Sequence, residues 1–244
     1  MASKYFQESD QAYLNSVTRD VPGWLQDYAS RITVALLNFQ QENGVHGSFF
    51  EIGVYAGKYL SVLAKYALED NRRLVGLDPL VHFTDDQIRQ NIRASSEDSV
   101  TLMKGLSSDF NPSELITLLG ERARFVSVDG SHDAVDVLWD LDLAKDVLHP
   151  KGIVALDDFL NTQCLGVVEA VCQFLQRKPI LVPFLFTSGK LFMATVHHVK
   201  EYQDFLDRFA EEDEHTLSAN FAGTRKQNKM WGQTEFCGHS VLVM

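Results

Sequence analysis

Three aspartates and a histidine stand where strands should end. Asp129 follows the apolar run Arg124-Phe125-Val126-Ser127-Val128, Asp157 and Asp158 follow Ile153-Val154-Ala155-Leu156, and His132 lies three residues beyond Asp129. Neighbouring strands run about 4.8 Å apart, so carboxylates at the same end of two of them can converge on one point. Converging like charges raise each other's pKa or call for a cation. An all-oxygen donor set selects a hard ion, Mg²⁺ first with Mn²⁺ or Ca²⁺ as substitutes, and disfavours zinc, which prefers histidine and cysteine. The plainer reading is that Asp157-Asp158 turns the chain and caps the next helix while Asp129 serves its own turn. His132 shares the rim. An unperturbed imidazole, with a pKa of about 6.5, is mostly neutral at pH 7, the form a general base needs; a loop histidine taken alone is more often a surface residue.

These residues need a ligand site beside them, and one stretch has the pattern of one. Phe49-Phe50-Glu51-Ile52-Gly53-Val54-Tyr55-Ala56-Gly57-Lys58 is an apolar run closing in a carboxylate, then a glycine-punctuated turn; Leu60, Leu63, Ala64 and Ala67 follow at helical spacing. Glycine permits unusual φ and close approach of a ligand to the backbone. The pattern is E-x-G-x-x-x-G, with Tyr55 where a dinucleotide loop would carry its middle glycine, so a phosphate-free adenosyl ligand suits it better than a pyrophosphate. About 20 residues on, Arg73-Leu74-Val75-Gly76-Leu77 ends in Asp78, the spacing at which an acid meets ribose hydroxyls. Ser107, in the turn Gly105-Leu106-Ser107-Ser108-Asp109, is placed either to meet a base or ribose or simply to cap that turn.

Alternating apolar runs at Val100–Lys104, Arg124–Val128, Ile153–Leu156, Ile180–Phe186 and Leu191–Val196 join the two strands above. Helical patterns stand between most of them, and a short Gly-containing loop, Thr187-Ser188-Gly189-Lys190, links the last two as an antiparallel hairpin. The expected fold is α/β: a Rossmann-like, seven-stranded, mostly parallel sheet with one antiparallel strand and helices on both faces. Residues 1–46 read as an N-terminal helical cap, with Trp24, Tyr28, Ile32, Ala35, Leu36 and Phe39 on one apolar face and the first twenty or so residues forming part of a lid. Residues 47–198 form the core, and residues 199–244 an acidic helix, a polar stretch to Asn228 and an apolar close at Ser240–Met244 that reads as either an edge strand or a subunit contact. A capping box at Thr84-Asp85-Asp86-Gln87 starts a helix in the segment 79–98. The acids Asp136, Asp140, Asp142 and Asp146 read as a solvated helix face.

With 33 acidic against 22 basic residues the chain of 244 has net charge −11 and pI about 5.1. That balance speaks against nucleic acid and anionic membrane as partners and suits a neutral or cationic small molecule. Cys164, Cys172 and Cys237 form no C-x-x-C pair and read as reduced, mostly buried thiols, and no long apolar run is present, so a cytoplasmic protein is expected. The oligomeric state stays open.

Together these motifs resemble the class I S-adenosylmethionine-dependent methyltransferases, and within them the metal-dependent, macrocin-type sugar O-methyltransferases. The resemblance rests on Phe50–Gly57 as cofactor loop, Val128-Asp129-Gly130-Ser131-His132 as a D-G-S-H signature, Gly152–Asp158 as a strand ending in D-D, and Val21-Pro22-Gly23-Trp24 as the approach to the first helix. It spans about residues 20 to 197; Lys151 replaces a glycine common at that turn, and the tail after residue 198 has no counterpart. It implies that Glu51, Gly53 and Gly57 hold the methionine end of S-adenosylmethionine and Asp78 its ribose, with Tyr55, Ser107 and Asp129 completing the cofactor set. Asp129, Asp157 and Asp158 would bind Mg²⁺ or Mn²⁺, and His132, with Asp129, would act on an acceptor hydroxyl of a sugar or natural product. Two other classes share these motifs: a protein that binds S-adenosylmethionine without turnover, and a cephalosporin-hydroxylase-like enzyme.

Overall fold

The computed structural model describes residues 3–95 and 99–244. The first two residues of the expected cap and the close of the 79–98 segment lie outside the described residues. Nine strands form one sheet in the order β3-β2-β1-β4-β5-β7-β6-β9-β8. They are β1 (Ser48–Ile52), β2 (Leu74–Asp78), β3 (Val100–Lys104), β4 (Ala123–Val128), β5 (Leu148–Leu156), β6 (Leu181–Thr187), β7 (Lys190–Thr195), β8 (Gln233–Phe236) and β9 (His239–Val243). Strands β1 to β5 are parallel, and β7 enters antiparallel between β5 and β6. This is the expected α/β sheet with two strands added. The apolar close of the chain pairs with β6 as β9, and β8 folds back on it antiparallel, so there are two reversed strands, not one.

Because successive side chains point to opposite faces of a strand, each apolar doublet feeds two cores. Phe49, Leu74, Phe125 and Ile153 face one; Phe50, Val75, Val126 and Val154 face the other. The first is covered by α2 (Asp27–Glu42), α3 (Lys58–Glu69), α4 (Asp85–Asn91) and α8 (Val199–Glu212). The second is covered by α5 (Pro112–Leu119), α6 (Ala134–Val147) and α7 (Leu165–Gln176). Each fully buried Phe contributes roughly 1.5–3 kcal/mol, and this two-sided burial explains why the central strands lack polar alternation. Helix α4 is capped as its sequence specifies, Thr84 Oγ1 accepting the Gln87 N–H at 3.3 Å. Gly120 ends α5 at φ +73.

Helix α1 (Glu8–Ser16) lies along α3: Tyr13 donates to the Ser61 carbonyl at 2.9 Å, and the Thr18 and Ser61 hydroxyls meet at 2.8 Å. The stretch read as polar up to Asn228 contains a further helix, α9 (Thr216–Gln227). It buries only Ser218, Phe221 and Ala222, too narrow a stripe to show as periodicity. It is held by tertiary contacts, among them Arg225 Nε donating to Asp207 on α8 at 2.8 Å. Two side chains depart from the expected pattern: Trp24 is 85% exposed, because α2 starts only at Asp27, and Asp140 is buried. Only Cys164 among the cysteines is buried. Cys237 is exposed at a tight turn (φ +50) between β8 and β9, its Sγ 3.9 Å from that of Cys172. No helix of the described residues is long and apolar enough to cross a membrane.

Candidate active site

The strand order reverses between β1 and β4, and a parallel α/β sheet opens its ligand crevice at such a point, beyond the C-terminal ends of the strands. The ladders run on into the loops: Gly53 N–H donates to Leu77 O, Asp129 N–H to Ile52 O and Asp157 N–H to Val128 O, at 2.8–2.9 Å. Those bonds fix the positions of the acids that follow.

Gly53 stands at φ +82, and a Cβ there would sit 1.8 Å from the Asp129 carbonyl oxygen. Only glycine lets the β1 and β4 loops come this close. Gly57, at φ +88, begins α3, and a Cβ would press on Ile88 and Ile92. Asp78 clamps the same loop: its Oδ2 accepts the Val54 and Tyr55 N–H, each at 2.9 Å, and its Oδ1 accepts the Leu80 N–H at 2.6 Å. Tyr55 (φ +50) is partly exposed at the mouth, with Trp24 5.8 Å and Phe83 4.9 Å from its ring.

Between these loops lies a cavity of about 290 Å³, walled by Gly53, Leu77, Gly105, Ser107, Gly130 and, from α6, Trp139 and Asp140. Its apolar walls and glycine cradle fit the nucleoside part of S-adenosylmethionine. Asp140, read from sequence as solvated, forms part of this wall. Burial pushes its carboxyl up to about 6, against a hydrogen bond from Ser107, which thus faces the cavity and α6 together. Lying above the ordinary 3.8, this pKa means that the folded protein holds a proton the unfolded chain releases. Its stabilising effect is complete below about pH 4 and fades as pH rises through 6. Asp140→Asn is therefore expected to flatten the stability profile between about pH 4 and 6, by up to about 3 kcal/mol in denaturant titrations. An unchanged slope would show that Asp140 is not its source.

A second pocket of about 350 Å³ opens between Trp24, Phe186, Asp157, Asp158 and Lys190. In its wall Asp158 has its Oδ2 2.9 Å from His132 Nε2 and accepts at Oδ1 from Asn161 at 2.7 Å. Gly166 lets α7 pack onto the His132 loop, since a Cβ would meet the His132 carbonyl oxygen at 2.3 Å. Glu51 is 1% exposed and lines neither pocket; burial drives its carboxyl well above the usual range, and its Oε2 has no hydrogen-bond partner among the described residues. A further cavity, about 620 Å³ between α1, the start of α2 and His215, has none of the strand-end acids in its wall.

The expected ion site is not presented as an open cage. Asp157 Oδ2 lies 2.7 Å from the Lys190 ammonium, Asp158 is turned to His132 and Asn161, and the Asp129 carboxyl is pushed up to about 8 by burial, against Lys190 and with Asp157 adding to the rise. As they stand, these three do not fit a hard divalent ion. Among the described residues, the group that brings three ligating atoms within 4.8 Å of one another is His132, Asp158 and Cys164, a mixed N, O, S set unlike the all-oxygen one expected. Lys190, Asp140 and Trp139 were not legible as site residues; of these, only Trp139, an aromatic one turn into the helix after D-G-S-H, offered any signal.

Residues 50–159, which contain every strand-end acid of the site, match the family model described as a methyltransferase domain. Solved structures agree with this chain in fold: the O-methyltransferase NovP (14% identity, 75% of this chain and 87% of that one, TM-score 0.59) and an O-methyltransferase from Bacillus cereus in complex with SAH (18%, 78% and 91%, 0.54). So does CalS11, a TDP-rhamnose 3′-O-methyltransferase of calicheamicin biosynthesis (16%, 77% and 95%, 0.53). No curated protein matches the chain in sequence. The matched stretch ends just past Asp158, and β6 to β9 with α8 and α9 lie outside it.

Proposed function

We propose that this protein is an S-adenosylmethionine-dependent O-methyltransferase that acts on a hydroxyl of a neutral or cationic small molecule, a sugar or natural-product acceptor. The observation that carries the reading is the His132–Asp158 pair, 2.9 Å apart, whose Asp158 lines the second pocket while the loop before His132, at Gly130 and Ser131, lines the glycine-walled cavity. The matched domain and the shared fold support it.

When bound, S-adenosylmethionine supplies an electrophilic methyl group. Gly53, Asp78, Ser107 and the walls around Asp140 and Trp139 bind and orient the nucleoside. His132, whose Nε2 lies 2.9 Å from Asp158 Oδ2, takes the acceptor's hydroxyl proton, and the neighbouring carboxylate favours the positive charge that forms on the ring. Asn161 holds Asp158 in turn. Trp24 and Phe186 give the acceptor pocket apolar walls, and its carboxylates disfavour an anionic acceptor. Positioning supplies much of the rate, since displacement at a methyl carbon needs the oxygen about 3 Å away and in line.

Isothermal titration with S-adenosylmethionine, followed by turnover assays on a panel of sugars and phenols, tests the reading. Binding with methylation of a hydroxyl is expected. Binding without turnover on any member would favour a non-enzymatic binding protein, and no binding would remove the reading altogether.

A further inference from the structure

Lys190 is the first residue of β7, and its position follows from register. Because β7 runs antiparallel to β5 with Leu191 opposite Leu156, the next pair along is Lys190 and Asp157. The lysine is 1% exposed, and its ammonium lies 2.7 Å from Asp157 Oδ2 and 4.3 Å from the centre of the Tyr59 ring. That ring is held by the Tyr59 hydroxyl against Thr33 Oγ1 at 2.7 Å. Nζ makes no well-directed hydrogen bond and borders the acceptor pocket. Burying an ammonium is costly unless opposite charges surround it. Here Asp157, Asp129 and Glu51 all feel its charge. A Mg²⁺ ion needs oxygens at about 2.0–2.1 Å in an octahedron, which would set a second cation against the ammonium on the same carboxylate.

We propose that Lys190 is the resident cation of the strand-end carboxylates, standing where a divalent metal ion would otherwise be required, so that methyl transfer here proceeds without metal. Its second half rests on the methyltransferase reading; the first does not. Lys190 acts as a positioning residue, holding Asp157 and Asp129 so that Asp158 stays free to orient His132.

The test is a titration of the full chain with Mn²⁺, followed by electron paramagnetic resonance, in the wild type and in Lys190→Met, together with turnover in chelator. The wild type should bind no Mn²⁺ at the site and keep its turnover in chelator. Lys190→Met should gain a Mn²⁺ site at least about tenfold tighter than any in the wild type, and lose turnover at least tenfold with partial recovery in Mg²⁺. Lys190→Arg keeps the charge and should stay metal-free, and Lys190→Gln, which removes it with a smaller change of polarity, takes the place of Lys190→Met if that variant fails to fold as judged by circular dichroism. A wild type that binds Mn²⁺ stoichiometrically, or loses turnover in chelator and regains it with Mg²⁺ or Zn²⁺, overturns the proposal. Should no acceptor be methylated, the Mn²⁺ arm still decides Lys190's role, and only the methyltransferase reading fails.

Discussion

Replacing His132 with alanine is expected to lower kcat by about 10²–10⁴, the usual contribution of a placed general base, while S-adenosylmethionine affinity stays within about twofold. The reason is geometric. His132 touches Asp158, which lines the acceptor pocket, but itself lines no part of the nucleoside cavity. Asp158→Asn should lose a smaller factor, because the amide keeps the side chain's shape and can still accept at one oxygen while removing the charge that favours the protonated imidazole. If both variants turned over at near wild-type rates, the pair would be a structural contact only.

Asp78→Ala is expected to be the most damaging change on the cofactor side. Its two carboxylate oxygens accept three backbone N–H groups that shape the cofactor loop, so the variant loses the ribose contact and the loop's conformation together. Each hydrogen bond to a charged group contributes about 1.5–3 kcal/mol, so cofactor binding should weaken by at least that range and folding stability should fall as well. Asp78→Asn, which retains one acceptor in the same place, should recover part of both. Isothermal titration and denaturant unfolding read the two effects separately; unchanged affinity in a folded Asp78→Ala would remove the ribose site from this strand end.

Much of this architecture was legible because strand-end residues are set by short-range rules. An apolar run, a glycine turn and an acid placed Asp78, Asp129, Asp157 and Asp158 along one edge, and the capping box located α4 to the residue. What failed to show depends on contacts distant in sequence. Lys190 read as a hairpin turn, since only the insertion of β7 between β5 and β6 returns its side chain to Asp157. Asp140 fell on what looked like a charged helix face, but α6 tilts beneath the β4 loop, where a Cβ on Gly130 would be 3.0 Å from the Asp140 carboxylate. Trp24 lay on a helical period and yet precedes the helix, a boundary the periodicity could not mark. The apolar close at Ser240–Met244 could be read as an edge strand or a subunit contact, and pairing with β6 makes it β9; β8 and α9 lie in the polar stretch before it, where the apolar signal is weak.

The central claim is that His132, oriented by Asp158, removes the proton from an acceptor hydroxyl during methyl transfer. Its most direct test is the pH dependence of kcat, measured with a methylated acceptor for wild type and His132→Ala side by side. Wild-type kcat is predicted to rise with pH as the general base is freed of its proton, and the variant to lose that rise along with its rate. The same rise in both proteins, with near-normal turnover in the variant, would contradict it.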